Sequence, residues 1–580
     1  MACVPYVTVQ HDYPQVFDEI SQGVVAAERV WISIYALNAP NASIHSRILL
    51  VSDEPEAGPL SIPTSDADGG GGVYIAEVKP EKELGVKRVK GSPKSLVVSS
   101  TFRPAEDSIA PSPTSARHIQ QKIYLPPVTC LSPSHSISMP KVAPLQLRKG
   151  VTPEITAFDV SLSNNGLYVA GGPDGKCWIG ALPGSAAASS QSGGSAPLVV
   201  LDGHVGDITS AKFFPSGEVV MTTGSDFRIC IFSALPAEGA TASSSTIPAT
   251  NSAVRTLTAH SRAPTSTAII GKGRIVLSGG RDGYVRCWNV GEAKEVGNLA
   301  ASEAVTSSLF PPTIERILLG PDPSTKLEAS SGEEETDLFP GRFPLLAIAL
   351  NSGEVVLHDL RRCSLSHASA SDSDPRSKPL RIQPFETLRT LLPPPSFPPG
   401  PPLDASDAAQ AWASTRSGAA SALAWDHERH LLVIGYARGL VAVHRVSELL
   451  SDESSEAQGT APAEKNSLVA LWKRNEATIT QIELVPSTAQ DEEHLRMVVT
   501  TSDGLAATLS LDTSSTPAEG STTADSEEKD SLRVPCVLTE YIGWESGDTI
   551  NSARVVSNEK GSSSVVLAGA GGLIRLYRGL

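Results

Sequence analysis

Two stretches of the chain repeat one another without a gap, and this repeat constrains the fold more than any other feature. They are "LDGHVGDITSAKFFPSGEVVMTTGSDFRICIFSALP" (201–236) and "LTAHSRAPTSTAIIGKGRIVLSGGRDGYVRCWNVGE" (257–292), related by a constant offset of 56 (260 minus 204). Such repeats are typical of proteins built from copies of one small structural unit. Four pairs of polar or aromatic residues coincide in the alignment: His204 with His260, Thr222 with Ser278, Asp226 with Asp282, and Phe232 with Trp288.

The repeated unit has the pattern of β-strands. Runs rich in Val, Ile, Leu and Thr, bounded by Gly, Asp, Asn and Ser, recur from residue 155 to the end, whereas helical periodicity is scarce. Short runs between turn residues are typical of all-β proteins. At 580 residues the chain exceeds what one ordinary core fills, so its length allows several domains or one large repeat architecture. We therefore expect an all-β fold.

The composition of the chain indicates which kind of partner it binds and where in the cell it is found. The chain carries 47 Lys and Arg against 63 Asp and Glu, a net charge of -16, which disfavours nucleic acid as a general partner and favours a basic one. Its seven cysteines include no C-x-x-C pair, which argues against a disulfide framework or zinc ribbon. No basic leader with an apolar core and no long apolar run occurs. We expect a monomeric cytoplasmic protein, also nuclear, that does not enter membranes.

The second repeat resembles the WD-repeat family, whose unit is a four-stranded blade of a β-propeller with GH near its start and WD near its end. Ala259-His260 stands for the GH, "LSGGRDG" supplies a tight turn, and Trp288-Asn289 replaces the WD. The resemblance implies a buried hydrogen-bonded chain in each blade. His260, Ser278, Asp282 and Trp288 would form a complete one. His204, Thr222 and Asp226 would form one that lacks the tryptophan, so the expected role of these histidines is structural.

More divergent copies extend the pattern to seven units, which predicts a seven-bladed propeller over 142–580. A strand near 143–151 is expected to close the last blade, and "AVTSSLF" (304–310) to open the fourth. Residues 1–141 fit no unit and predict a separate, small β-rich N-terminal domain with disordered loops. Long inserts of low complexity between blades are expected to be disordered. The blades are predicted near 155–200, 201–256, 257–302, 303–362, 420–448, 468–512 and 536–580.

Motifs that carry chemistry are missing from the sequence. It contains no H-E-x-x-H, no phosphate-binding G-x-x-x-x-G-K-[ST] and no G-x-S-x-G. The densest histidine cluster, "WDHERH", places His427 and His430 where a polar turn between strands is the better interpretation than a metal site. We predict no catalytic residue, no metal and no cofactor, and therefore a protein that is not an enzyme.

Residues 201–292 further resemble the WD-repeat chaperones that assemble the proteasome regulatory particle, through "KFFPSG" and "TAIIGKGRIVLSGGRDG". The resemblance implies a non-enzymatic chaperone that binds the C-terminal domain of an AAA ATPase subunit of the proteasome base. The alternative is a general WD-repeat scaffold, such as a ubiquitin-ligase substrate receptor or a ribosome-assembly factor.

Loops that enter each first strand and turns between second and third strands share one face of a propeller. That face would present the partner-binding candidates, which are Asp174, Asp207, Ser225, Arg262, Arg281, Arg438 and Asp503.

Overall fold

Antiparallel β-sheet dominates the computed structural model: of the described residues, 62% lie in strands and 5% in helices. The structure is thus mostly β, as expected, and consistent with a propeller. The described residues are 2–37, 43–52, 73–79, 84–89, 92–100, 123–139, 154–161, 163, 166–185, 199–235, 249–302, 304–308, 311–320, 345–360, 365–366, 381–382, 387–394, 417–450, 467–487, 493–513, 532–557 and 563–579.

Seven sheets within these residues share one plan, in which an inner, a second, a third and an outer strand pair antiparallel in that order. The strands are Ala157–Val160, Leu167–Gly171, Lys176–Ala181 and Val199–Asp202 in sheet 1; Ile208–Phe213, Val219–Gly224, Arg228–Ser233 and Arg255–Thr258 in sheet 2; Pro264–Ile270, Ile275–Gly280, Tyr284–Asn289 and Lys294–Ala300 in sheet 3; and Ile314–Gly320, Leu345–Leu350, Val355–Asp359 and Thr387–Leu391 in sheet 4.

The remaining three sheets repeat the plan. They are Ala420–Asp426, Leu431–Tyr436, Leu440–Arg445 and Leu468–Lys473 in sheet 5; Ile479–Leu484, His494–Thr501, Ala506–Asp512 and Cys536–Tyr541 in sheet 6; and Ile550–Ser557, Ser563–Gly569, Leu573–Arg578 and His135–Ser138 in sheet 7. Smaller elements are a strand Ala249–Ser252 parallel to the edge of sheet 1, a pair Leu365–Ser366 with Arg381–Ile382, and short helices Ala304–Ser307 and Val446–Leu450.

The core lies between neighbouring sheets. Second strands such as Ile275–Gly280 and Leu431–Tyr436 are buried at every residue, because strands flank them on both sides and other sheets cover both faces. This explains why their sequences, IVLSGG and LLVIGY, are nearly continuous apolar runs rather than alternating ones. Each inner strand contacts the inner strand of the following sheet, and that of sheet 7 also contacts that of sheet 1.

A repeated side-chain hydrogen bond joins most neighbouring sheets. At the start of the inner strand an apolar residue precedes a Ser, Thr or Asn, whose side chain donates to a backbone carbonyl of the next sheet. The distance is 2.6 Å from Thr156 Oγ1 to Ile208 O, and 2.9 Å from Asn551 Nδ2 to Ile155 O, the step that returns from sheet 7 to sheet 1. The other donors are Thr209, Thr265, Ser421 and Thr480. In sheet 4 Glu315 holds this place.

Described strands of the N-terminal segment, predicted from the sequence as a separate domain over 1–141, join sheets 5, 6 and 7. Its strand Ala2–Cys3 pairs with the outer strand of sheet 5, and Leu125–Leu131 pairs parallel with the outer strand of sheet 6. Strands Ser92–Ser100 and Leu84–Val89 extend that sheet further. Beside them lie a helix, Tyr13–Ser21, and a second sheet of Tyr6–Val9, Ala27–Tyr35, Ile44–Ser52 and Val73–Lys79. Buried side chains of this segment and of sheets 5 and 6 form one continuous core.

Two strand assignments are corrected. The edge of sheet 7 is completed by His135–Ser138, paired with Leu573–Arg578, so the predicted strand near 143–151, which lies outside the described residues, is not needed there. Residues 304–307 form a short helix, and sheet 4 begins only at Ile314, after Pro311 and Pro312, whose missing N–H groups exclude them from a regular ladder.

The predicted boundaries of the later units are wrong for a common reason. Outer strands of sheets 4, 5 and 6 lie at Thr387–Leu391, Leu468–Lys473 and Cys536–Tyr541, beyond the ends predicted at 362, 448 and 512. In each case a long connection separates the third strand from the outer one. The sequence pattern therefore assigned 468–473 and 536–541 to the following units and placed 387–391 in a disordered insert. None of the helices in the described residues is long and apolar enough to cross a membrane.

Candidate protein-binding face and the networks behind it

Sheet 3 contains a directional hydrogen-bonded chain of four side chains. The Trp288 indole N–H donates to Ser278 Oγ (2.8 Å), which lies 2.7 Å from His260 Nε2, and His260 Nδ1 lies 3.0 Å from Asp282 Oδ2. Because a carboxylate only accepts, Nδ1 carries the proton and Nε2 accepts from the serine. The backbone N–H of Ser261 also donates to Asp282 Oδ2. All four side chains are buried. This hydrogen-bonded chain therefore fixes the loop that enters the inner strand, the second strand and the third strand to one another.

Sheet 2 brings together the corresponding three residues. His204 Nδ1 lies 2.9 Å from Asp226 Oδ1, and His204 Nε2 lies 2.8 Å from Thr222 Oγ1. Burial raises the pKa of Asp226, but hydrogen bonds and charge from His204, with two backbone N–H donors, lower it below its usual value overall. The same balance lowers the pKa of Asp282. Phe232 is buried where sheet 3 has Trp288, so the chain of sheet 2 ends at the threonine.

The turns between second and third strands interlock with the loops that enter the inner strands. The backbone N–H of Ser225 donates to Asp207 O at 2.8 Å, and that of Arg281 donates to Ala263 O at 2.9 Å. Similar bonds join Ile208 to Gly172 and Arg438 to Ser417. These turns and loops therefore lie at one end of their sheets, which we call the turn face. All seven partner-binding candidates lie on it: Asp174, Asp207, Ser225, Arg262, Arg281, Arg438 and Asp503.

The candidates differ in accessibility. Asp207, Arg262 and Arg281 are exposed, whereas Asp174, Ser225, Arg438 and Asp503 are only partly exposed. Asp503 accepts from Asn475 Nδ2 at 2.7 Å and from Thr501 Oγ1 at 2.5 Å. Since Asn475 occupies in sheet 6 the place of His204 in sheet 2, Asp503 is the counterpart of a network aspartate. Burial raises the pKa of the Asp174 carboxyl above its usual value.

Phe227 is a turn-face residue that sequence reasoning missed. It has a φ of 69°, in the left-handed region, and its side chain is 45% exposed. A usable signal was present in the alignment, because Phe227 stands opposite Gly283 at the same offset of 56.

A second missed group is an ionic cluster on the inner strands. Arg554 of sheet 7 contacts Asp159 of sheet 1 at 2.7 Å and Glu483 of sheet 6 at 3.0 Å. Lys212 of sheet 2 donates to Thr267 O at 2.5 Å, and burial, followed by the charge of Arg554, lowers its pKa to about 8. Charged residues within otherwise apolar strands were the available signal. The cluster ties the inner strands of sheets 1, 6 and 7 together.

The described residues contain no group of three or more His, Cys, Asp or Glu that could hold a metal ion. His427 and His430 lie in the turn between Ala420–Asp426 and Leu431–Tyr436, the position given to them from the sequence. His430 adopts a φ of 53°, as turn residues can. The seven network residues thus hold the loops and turns of sheets 2 and 3 in place, and the seven partner-binding candidates lie on the turn face.

Comparison with known families finds the WD40 model, described as "WD domain, G-beta repeat", at residues 195–233 and 251–289. Each match comprises the outer edge of one sheet and the first three strands of the next, so the sequence repeat and the structural sheet are offset by one strand. No curated protein matches the chain. The chain thus contains two WD40 repeats, and these indicate a protein-interaction scaffold.

Proposed function

We propose that the seven sheets form one closed seven-bladed propeller and that the protein is a non-enzymatic assembly chaperone for the proteasome regulatory particle. It would bind, as a monomer, the C-terminal domain of one AAA ATPase subunit of the base. The observation that carries the binding role is the turn face of sheets 2 and 3, where exposed side chains stand on loops held by buried networks. Rigid loops lose little conformational freedom on binding, which favours affinity.

The choice of partner rests on residues 201–292, which resemble the proteasomal ATPase-associated factor. Closure of the ring is supported by the hydrogen bond from Asn551 to Ile155 and by the Arg554–Asp159 ion pair, both between the last sheet and the first. A propeller of this kind would hold an ATPase subunit away from premature docking until assembly proceeds. The alternative remains a general scaffold, as in ubiquitin-ligase receptors or ribosome-assembly factors.

Direct binding of purified components tests this function. The full chain is titrated by calorimetry with the separately purified C-terminal domains of the base ATPase subunits, and we expect one of them to bind. Asp207→Lys combined with Arg281→Glu should weaken that binding at least tenfold without lowering Tm. Glu218→Lys combined with Lys272→Glu makes the same charge change on the same two sheets, at exposed turns of the opposite end, and should leave binding unchanged.

Affinity capture from cytosol separates the two functions. Recovery of free base ATPase subunits without core-particle subunits supports the chaperone. If a cullin adaptor or ribosomal proteins are recovered instead, and no ATPase domain binds in the titration, the chaperone function is wrong and the scaffold function takes its place.

A further inference from the structure

One position in the turn between the second and third strands follows a rule in six of the seven sheets. There the turn contains a glycine with positive φ: Gly175 (77°), Gly283 (81°), Gly353 (90°), Gly439 (74°), Gly504 (89°) and Gly572 (65°). At several of these a Cβ would collide with backbone of the next loop; for Gly439 it would lie 2.1 Å from Asn475 O, and for Gly175 2.6 Å from His204 O. Sheet 2 breaks the rule with Phe227, at a φ of 69°.

Neither local conformation nor packing favours a phenylalanine at this place. The left-handed region is disfavoured for residues with a Cβ, and bulky residues adopt it rarely. The ring remains 45% exposed, so burial compensates only in part. Strained residues that persist in an otherwise regular scaffold cluster at ligand-binding positions.

The surroundings of Phe227 have a distinct chemistry. Val205, 84% exposed, lies in the preceding loop, which is fixed to the same turn by the bond from its N–H to Asp226 Oδ2 at 3.1 Å. Arg228 follows Phe227 and pairs across the sheet with Thr258, where the loop bearing Arg262 begins.

The exposed residues near Phe227 include several positive charges, whereas the whole protein is negatively charged. Arg228, Arg262 and Arg281 are exposed, whereas the neighbouring carboxylates of Asp226 and Asp282 are engaged by histidines. On the two loops and two turns of sheets 2 and 3, all of which are described, Asp207 is the exposed carboxylate, and exposed Asp202 ends the strand that leads into the loop of Val205. A chain of net charge -16 thus presents three exposed arginines on the same turn face as two exposed apolar side chains.

We propose that Phe227 and Val205 are the apolar anchor, and the three arginines the rim, of a binding site for a protein segment in which an apolar side chain is flanked by carboxylates. The site, here called the Phe227 site, deepens the proposed function and rests on it only in taking the partner to be a protein. Aromatic residues and arginines contribute most of the energy in many interfaces. The basic rim selects acidic flanks and speeds encounter.

A displayed random-peptide library selected on the full-length protein tests the Phe227 site without reference to any ATPase. Selected peptides are synthesised and measured by fluorescence anisotropy. We expect an apolar residue flanked by Asp or Glu, with affinity at least tenfold weaker for Phe227→Gly and for Arg228→Glu. Phe227→Gly should meanwhile keep or raise Tm, because glycine suits the turn. A merely structural phenylalanine would not combine unchanged or higher stability with lost binding.

Phe227→Asn serves as a second variant, since asparagine tolerates the left-handed region. Peptides rich in Lys or Arg, or acidic peptides that bind both variants like the wild type, overturn the proposal. So does tighter binding of a single-stranded oligonucleotide that depends on Phe227. If acidic peptides bind through Phe227 but no ATPase domain binds, the site stands and the proposed function falls. If an ATPase domain binds and no acidic peptide does, the reverse holds.

Discussion

Sheets 2 and 3 are two copies of one unit, and they differ at two informative positions. Both contain a histidine, an aspartate and a hydroxyl in the same hydrogen-bonded order. Sheet 3 adds the Trp288 indole and has Gly283 in its turn, whereas sheet 2 has Phe232 and Phe227 in the matching places. A left-handed residue with a side chain costs about 1–2 kcal/mol. The comparison indicates that sheet 3 is built for stability and sheet 2 gives up some stability to present a side chain.

Breaking the two histidine networks should have the largest effects, and unequal ones. His260→Ala removes a hydrogen-bond partner from the buried Ser278 hydroxyl and from the Asp282 side chain, which is 2% exposed and keeps Arg286 and two backbone N–H donors. The loss should be about 3–4 kcal/mol, because two buried polar groups each lose a partner. His204→Ala should cost about 1–3 kcal/mol, because Asp226 is 11% exposed and no indole depends on the chain. Urea unfolding measures both, with exposed His494→Ala as control. Equal losses would contradict the comparison.

Sheet 5 extends the comparison, because buried His444 pairs with Leu432 as Trp288 pairs with Val276. Burial lowers the pKa of His444 from 6.5 to about 4. The unfolded chain therefore binds the proton first, and stability falls as pH decreases through 6.5 toward 4, by up to about 1.4 kcal/mol per unit. His444→Phe should reduce this slope. Urea midpoints at pH 8, 6.5 and 5.5 test it, and an unchanged slope would show that His444 does not contribute.

Removing the indole donor should bring sheet 3 closer to sheet 2. Trp288→Phe deletes the hydrogen bond to Ser278 and some packing, with an expected loss of about 1–2 kcal/mol. Trp31→Phe, at a residue that is 46% exposed, should change stability by less than about 0.5 kcal/mol. The free energy of unfolding of both variants tests this. If Trp288→Phe lowers it no more than Trp31→Phe does, the indole of Trp288 adds no stability.

Exchanging the turn residues should give the smallest effect and opposite signs. Phe227→Gly should stabilise by about 0.5–1 kcal/mol, because relief of the left-handed strain exceeds the added chain entropy. Gly283→Ala should destabilise, since its Cβ would lie 2.8 Å from Val305 Cγ2 and 2.9 Å from Pro312 O. Differential scanning calorimetry of both variants tests this. A lower Tm for Phe227→Gly would mean that the ring stabilises the turn.

What could be predicted from the sequence was local. The resemblance to the WD-repeat unit implied the His204–Asp226 and His260–Asp282 pairs, and the β-character of each run follows from its own residues. Outer strands of sheets 4 to 6 were misplaced because long connections separate them from their third strands, and hydrophobic pattern carries no information about pairing across such distances.

Long-range contacts could not be predicted from the sequence either. Ala2–Cys3 pairs with residues 472 and 473, and Arg554 meets Asp159, although neither contact has a local signature. At Phe227 the sequence offers its alignment with Gly283 as a signal, whereas its φ of 69° and its exposure are seen only in the structure. The sequence therefore predicted the frame and most of the turn face, but not the residue in which stability and exposure conflict.

Hydrogen exchange of the full chain, alone and saturated with the ATPase C-terminal domain that binds in the titration, tests the central claim most directly. We expect slower exchange at 203–207, 225–228 and 259–263, with residues 2–37 of the N-terminal segment unchanged. Slower exchange confined to that segment, or to the turns at the opposite end that contain Glu218 and Lys272, would contradict the proposed binding face.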